Sequence, residues 1–149
     1  MLKKVFIGVV INLVGLVLAS GLDASASDAS VDFKVIVNAK VVGQKLPRAV
    51  LAEIYLGTVE RWGDGTIITA VDLSSTSPVR AAFSQQALGM RVEAVRFHWL
   101  RQLENGKRPP ISKSSDEDVI AYVASERGAV GYVSFAAHVP ATVREITVQ

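Results

Sequence analysis

The stretch Ala70–Leu88, AVDLSSTSPVRAAFSQQAL, decides the fold and is where the chain is most informative. An apolar run ends in four consecutive hydroxyl residues, and a helical pattern follows from Pro78 with Arg80 one turn in. Unpaired N–H groups in the first turn of a helix, together with the helix dipole, favour a negative ligand. The stretch therefore predicts a strand, a polar loop and a helix whose N-terminus can bind an anion.

The first 26 residues have the pattern of a secretory signal peptide. Two lysines precede an apolar run over Val5–Ala19, and residues 24–26 supply the small-x-small pattern of a cleavage site. The apolar run is shorter than the roughly 20 residues that span a bilayer. We expect cleavage after Ala26 and a periplasmic or secreted protein, with an uncleaved membrane anchor as the alternative.

Composition excludes several kinds of protein. The 149 residues carry a net charge of +2, which falls to +1 without the signal segment because that segment holds two lysines and one aspartate. No block of five or six basic residues occurs, so nucleic acid is not an expected partner. The chain has no cysteine, which excludes disulfides, thiolate metal sites and a lipid-modified N-terminal cysteine.

Hydrophobic periodicity predicts alternating strands and helices after a polar linker over residues 27–32. The predicted strands are Phe33–Asn38, Thr66–Asp72, Ala129–Phe135 and Val143–Val148. The predicted helices run from Pro47 to Gly57, Val79 to Leu88, Val92 to Leu103 and from a Ser115 cap to Gly128. This order predicts one α/β domain over residues 33–149, with helices flanking a mostly parallel sheet.

Four segments in order carry a family resemblance: LPRAVLAEIYLGTVERWGDGT, VDLSSTSPVRAAFSQQALG, FHWLRQLENGKRPP and SDEDVIAYVASERGAVGYVS. Over residues 33–135 the chain resembles the phosphate-binding-protein-like family, which is related to the periplasmic substrate-binding proteins of phosphate ABC transporters. The resemblance implies a periplasmic-binding-protein-like (type II) fold, an oxyanion ligand and a partner permease. Full-length members close two lobes around the ligand, and this chain is similar to short members of single-lobe size.

The predicted ligand loop departs from the full-length family pattern. In full-length members the strand is followed by Arg, then Asp, then Ser-Gly-Thr. The Arg position looks like Asp72 here, and the Asp position looks like Ser74. The Gly-rich N-terminal ligand loop of those members has no counterpart before Phe33–Asn38. The resemblance therefore implies a backbone anion cradle at Thr76 and Ser77 without the family's charged clamp.

The candidate anion ligands share one loop and the helix turn after it: Ser74, Ser75, Thr76, Ser77 and Arg80. A plainer role is open for two of them. Ser77 before Pro78 is a favoured helix N-cap. Arg80 can pair with a nearby surface acid, and it reaches a bound anion only if its side chain bends back toward the helix start.

Two further polar runs have a structural interpretation beside a chemical one. Residues 116–118, Asp-Glu-Asp, offer carboxylates for metal or acid chemistry. Acids are also favoured in a first helical turn by the helix dipole, and Ser115 with Asp118 approximates a capping box. Residues 113–115, Lys-Ser-Ser, are a second candidate anion-facing loop. We favour the structural interpretation for the acidic run.

No catalytic set is recognisable. His98 and His138 lack ligand-spaced partners, and Trp62 and Trp99 are expected to be core anchors rather than ligand-stacking groups. No nucleophile elbow, P-loop or His-Glu-x-x-His motif is present. We therefore expect a non-enzymatic protein with no cofactor and no metal.

These observations predict an extracytoplasmic solute-binding-like protein for a small oxyanion, with phosphate first. It would be linked to ABC-type uptake through a permease, or to a second chain that supplies the other lobe. The rival hypothesis is a protein-interaction or dimerisation module that keeps the fold and has lost the ligand. A hydrolase is a distant third.

Overall fold

A computed structural model describes residues 30–149, which form a six-stranded sheet and four helices. The predicted signal peptide and residues 27–29 of the predicted linker lie outside the described residues. The strands are β1 (Phe33–Asn38), β2 (Lys45–Leu46), β3 (Thr69–Leu73), β4 (Ile111–Lys113), β5 (Ala129–Ser134) and β6 (Val143–Val148). The helices are α1 (Arg48–Tyr55), α2 (Pro78–Ala87), α3 (Val92–Glu104) and α4 (Asp116–Ser125).

The sheet has the strand order β2-β6-β1-β5-β3-β4. Strand β1 is antiparallel to both of its neighbours, β5 and β6. The pairs β5–β3, β3–β4 and β2–β6 are parallel, so five strands run in one direction and β1 runs against them. The predicted mostly parallel sheet with flanking helices is confirmed, and β1 is its exception.

Successive residues of β5 point to opposite faces of the sheet, and this alternation places the helices. Gly131 faces α4, where a Cβ atom would lie 2.7 Å from Val119 and 3.1 Å from Val123. The next residue, Tyr132, stacks its ring on Phe83 of α2, with centroids 3.8 Å apart. Helix α4 therefore covers one face of the sheet, and α2 covers the other.

Helix α3 packs against α2 and lies outside the two layers that cover the sheet. It is buried at Val95 and at Trp99, whose ring lies against Gly57 just beyond α1. Gly57 has φ +77°, as expected of the predicted helix-ending glycine. No helix within residues 30–149 combines the length and the apolar composition that crossing a bilayer requires.

The structure corrects the predicted strands at three places. The segment Thr66–Ile68 is not part of β3, because it folds back on residues 60–62 in a small hairpin around the Asp64-Gly65 turn. Strands β2 and β4 were not predicted. They are the two edge strands of the sheet. With two and three residues, they are too short to show a periodic hydrophobic pattern.

Candidate functional site

The loop between β3 and α2 brings the predicted ligand residues to the carboxyl end of β3. Ser77 is the N-cap of α2, and its Oγ accepts a hydrogen bond from the Arg80 amide at 3.4 Å. Pro78 follows in the first turn, where it has no N–H to leave unpaired. The capping role predicted for Ser77 is confirmed.

The four hydroxyl residues differ in which of their amide and hydroxyl groups already form hydrogen bonds within the protein. The Ser74 amide donates to Lys113 O at 2.8 Å, and the Ser77 amide donates to Ser74 O at 2.9 Å. The Ser74 and Thr76 hydroxyl oxygens lie 3.1 Å apart. Ser75 and Thr76 are exposed, and neither amide donates a hydrogen bond within residues 30–149. Two amides without a partner in the described residues therefore lie in an exposed part of the loop.

Arg80 lies deeper than the sequence suggests. Its side chain is only 7% exposed, and its Nε lies 2.8 Å from Asp72 Oδ1 at the end of β3. Its Nη1 is buried and has no hydrogen-bond partner in the part of the chain that the structure describes. Arg80 therefore pairs with an acid, as the plainer interpretation allowed, but that acid is mostly buried and is not on the surface.

Asp72 accepts hydrogen bonds from three groups. Its Oδ1 accepts from Arg80, from the Leu73 amide at 2.9 Å and from the Tyr132 hydroxyl. The Leu73 amide lies 3.2 Å from that same hydroxyl oxygen. Sequence reasoning did not assign a role to Tyr132. The signal available was a tyrosine within the buried β5 segment, since a buried tyrosine hydroxyl needs a partner.

Burial is the largest influence on the pKa values of the acidic groups in this cluster. Burial raises the pKa of Asp72 above its ordinary value, while Arg80, Tyr132 and the Leu73 amide act in the opposite direction. Burial and the neighbouring Asp72 charge raise the pKa of Tyr132 strongly, so its hydroxyl remains a donor. The pKa of Tyr55 is raised well above its ordinary value, first by burial. Arg80 and Asp72 thus form a neutralised pair beside the loop.

A groove of about 540 Å³ runs between α3 and the end of β3. Its polar lining includes Arg80, Asp72, Ser75 and Ser112, and α3 adds the charged Glu93 and Arg96. The apolar lining residues are Leu73, Val92, Val95, Trp99, Leu100, Leu103, Pro109 and Pro110. Trp99 is buried as predicted but lines this groove instead of joining the main core. The groove is therefore the concave surface nearest the predicted ligand residues.

The other polar runs are occupied by the fold itself. Asp116 accepts hydrogen bonds from the Ser134 amide at 3.1 Å and from the Ser134 hydroxyl, which fixes the end of β5. Ser115 caps α4, and its Oγ accepts from the Asp118 amide at 3.1 Å. The Asp118 carboxylate accepts from Ser114 instead of completing a capping box. Both runs therefore have structural roles here.

The histidines and the other tryptophan lie apart from the groove. His98 is half-buried, with Nε2 2.8 Å from Leu56 O, and His138 is exposed beyond β5. Trp62 packs on the core and donates from Nε1 to Gly128 O at 2.9 Å, as expected of an anchor. Within residues 30–149, no three His, Asp or Glu side chains cluster in a way that could hold a metal ion.

Comparison with solved structures shows that the fold is shared with phosphate-transport receptors. An ABC-type phosphate transport receptor from Vibrio cholerae matches with a TM-score of 0.62 and 18% identity, over 78% of this chain and 45% of that one. A Clostridium perfringens protein described as a phosphate ABC transporter substrate-binding protein, with phosphate bound, matches with a TM-score of 0.64 and 19% identity, over 78% and 44%. PstS from Borrelia burgdorferi matches with a TM-score of 0.61 and 13% identity, over 78% and 47%.

The match is one of fold, at low identity and over part of each neighbour. This chain spans less than half the length of these solved structures. No protein-family model matches the sequence, and no curated protein matches it. What the comparison shows is a mixed α/β fold shared with part of each of these solved structures.

Proposed function

We propose that this chain is an extracytoplasmic, solute-binding-like protein that holds a small oxyanion at the start of α2, with phosphate the first ligand to test. The observation that carries the proposal is the set of uncommitted donors at one place. Ser75 and Thr76 are exposed residues, and their amides donate no hydrogen bond within residues 30–149. Arg80 lines the same groove as Ser75, and its buried Nη1 has no hydrogen-bond partner among residues 30–149.

The hydroxyl residues complete the proposed cradle. The Ser74 and Thr76 hydroxyls share one hydrogen bond, so whichever of them accepts it keeps its own hydrogen free to donate. Ser77 accepts from the Arg80 amide and keeps its own hydroxyl hydrogen to donate. The α2 dipole adds positive potential at this end of the helix. An oxyanion would therefore meet donors from Ser74, Ser75, Thr76 and Ser77, with Arg80 behind them.

Asp72 limits the strength of this site. Its carboxylate neutralises Arg80 and places a negative charge beside the proposed anion. The loop is also open to water, which screens charge-assisted hydrogen bonds. We expect a dissociation constant on the order of 0.1–1 mM, or about 4–5 kcal/mol. Enclosure by a second chain would strengthen it.

The biological setting belongs to the same proposal. The neighbours' names connect this fold with phosphate ABC transport, which supports a non-enzymatic role and an ABC permease as partner. The predicted signal peptide supports a periplasmic or secreted location. Inorganic phosphate or another small oxyanion is the expected partner, and nucleic acid is not.

One observation favours a second candidate function. Because Asp72 already compensates the charge of Arg80, this arginine is committed to an internal ion pair. A domain with this arrangement can retain the fold as a protein-interaction or dimerisation module without a ligand. Anion binding is the property that separates the two candidates.

Isothermal titration calorimetry with phosphate and sulfate tests the proposal. The Thr76→Val variant removes one exposed hydroxyl and should weaken binding, whereas Ser114→Ala, in a hydroxyl run engaged by Asp118, should not. Sulfate keeps its charge above pH 3, so its affinity should rise toward acid pH as Asp72 becomes protonated. No heat with either anion, or equal binding by both variants, would favour the interaction module.

A further inference from the structure

Helix α3 presents an apolar face that no described part of the chain covers. Phe97, Leu100 and Leu103 are 62%, 48% and 50% exposed. They are spaced three residues apart, so Phe97 and Leu103 lie about 60° to either side of Leu100. The buried Val95 and Trp99 lie next to this face, on the side of Leu103. The apolar surface of α3 is therefore wider than the part that the fold buries.

Charges of opposite sign frame this face symmetrically. Arg96 lies four residues before Leu100 and Glu104 lies four residues after it, each turned about 40° from Leu100. Both side chains are exposed, and neither forms an ion pair within residues 30–149. Reversing the direction of the helix about Leu100 exchanges the two charges and exchanges Phe97 with Leu103. The face is therefore complementary to itself.

We propose that a second copy of this chain docks on this face, with the two α3 helices antiparallel and the two-fold axis at Leu100. In this register Phe97 meets Leu103 of the second copy and Arg96 meets its Glu104. In an isologous dimer interface each contact occurs twice, with the two copies exchanging roles, as these contacts would. A register centred between His98 and Trp99 would instead place Arg96 opposite Arg101, so like charges disfavour it.

The docked copy would also lie along the groove beside the hydroxyl loop. Leu100 and Leu103 belong both to the exposed face and to the groove wall, and Arg80 and Ser75 line the other side. The second α3 would then supply an outer wall that a single copy lacks. The dimer itself does not require an anion, so it stands or fails separately from the proposed ligand.

Analytical ultracentrifugation across a concentration series tests the dimer. The protein is taken in the form that cells accumulate, with its N-terminus defined by mass spectrometry. A contact built on one helix of 13 residues is small, so we expect reversible association in the micromolar range. Leu100→Glu should be monomeric at every concentration, while Val42→Glu, at a residue 77% exposed after β1, should still dimerise.

Charge exchange makes the test specific to this register. Arg96→Glu and Glu104→Arg should each weaken dimerisation at least tenfold, and the double variant should restore it to within about threefold of the parent. Circular dichroism of each variant checks that α3 remains folded. A parent that stays monomeric, or a double variant no better than the single ones, overturns the proposal and leaves the face to a different partner.

Cross-linking gives an independent reading because the chain has no cysteine. Helices in contact lie about 8–10 Å apart between axes, which brings residues on the two-fold within disulfide reach. Leu100→Cys should therefore oxidise to a covalent dimer, whereas Val42→Cys should not. Mixed Phe97→Cys and Leu103→Cys proteins should form the heterodimer in preference to either homodimer. Equal cross-linking of Leu100→Cys and Val42→Cys would contradict the interface.

Discussion

Arg80 Nε lies 2.8 Å from Asp72 Oδ1, and the two side chains are 7% and 14% exposed. The pair joins the first turn of α2 to the end of β3, so it fixes the loop that holds the hydroxyl residues. Asp72 is further held by Tyr132, whose ring stacks on Phe83 of the same helix. The position of the candidate anion site thus depends on a buried ion pair and an aromatic contact.

Removal of the Asp72 carboxyl group should destabilise the protein strongly. Asp72→Ala leaves the Arg80 guanidinium, the Leu73 amide and the Tyr132 hydroxyl without their shared acceptor, so the loss should exceed the about 1–3 kcal/mol of one unsatisfied buried group. Arg80→Met should cost less, because Asp72 keeps the Leu73 and Tyr132 donors. Urea unfolding monitored by circular dichroism gives both values. A greater loss for Arg80→Met than for Asp72→Ala would contradict this assignment.

The raised pKa of Asp72 predicts a definite sign for the pH dependence. The folded protein holds the Asp72 proton more tightly than the unfolded chain, whose carboxyl titrates near 3.8. The stability that this group contributes is therefore fully present below 3.8 and is lost as pH rises through the folded pKa. The difference in unfolding free energy between parent and Asp72→Asn should fall over that window and then level off.

Carbon-13 NMR of the carboxyl groups checks the same point directly. The Asp72 midpoint should lie above that of Asp64, whose pKa is lowered because its carboxylate accepts from the Thr66 amide in an exposed turn. Asp64 serves as the internal reference, since the two shifts have opposite directions. An Asp72 midpoint at or below that of Asp64 would show that the ion pair outweighs burial.

The Tyr132 hydroxyl should contribute measurably to stability. Tyr132→Phe keeps the ring stacked on Phe83 but removes one donor to Asp72 and the hydroxyl oxygen near the Leu73 amide. An unsatisfied buried group costs about 1–3 kcal/mol. Tyr122→Phe is the matched control, because the Tyr122 hydroxyl makes no hydrogen bond within residues 30–149. Equal unfolding midpoints for both variants would contradict the role of the hydroxyl.

Gly131 should not tolerate a methyl group. A Cβ atom there would lie 2.7 Å from Val119 Cγ1, within the packed contact between β5 and α4. Overpacking of this kind costs about 1–3 kcal/mol. Gly63→Ala is the control, since a Cβ at Gly63 meets no atom within 4 Å. Thermal unfolding of the two variants measures the difference, and similar melting temperatures would argue against the close approach of α4.

Much of the fold follows from local sequence signals. Strand β1 and strand β6 have the predicted bounds, and helix α2 begins one residue earlier than predicted, because an apolar run and a Ser77-Pro78 cap are each encoded within a few residues. Strands β2 and β4 were missed because pairing with β6 and β3, and not their own periodicity, makes them strands. The amino-acid pattern of so short a segment does not indicate which strand it pairs with.

The candidate site was predicted in part. The hydroxyl loop and its cap were evident from residues 74–77, since capping chemistry is local. The partner of Arg80 was not, because Asp72 lies eight residues away and Tyr132 lies on β5. The packing of α2 against the end of β3 decides which acid meets the arginine. The apolar exposure of α3 was also missed, since Leu100 and Leu103 have the spacing of a core face.

The central claim is that the donors at the start of α2 bind an oxyanion, and an NMR titration tests it most directly. Nitrogen-15 amide resonances are followed as phosphate is added, with chloride at equal ionic strength as the control. The account predicts saturable shifts that are largest at Ser75 and Thr76 and absent at Ser114. Shifts spread over the surface without saturation, or none at Ser75 and Thr76, would contradict it.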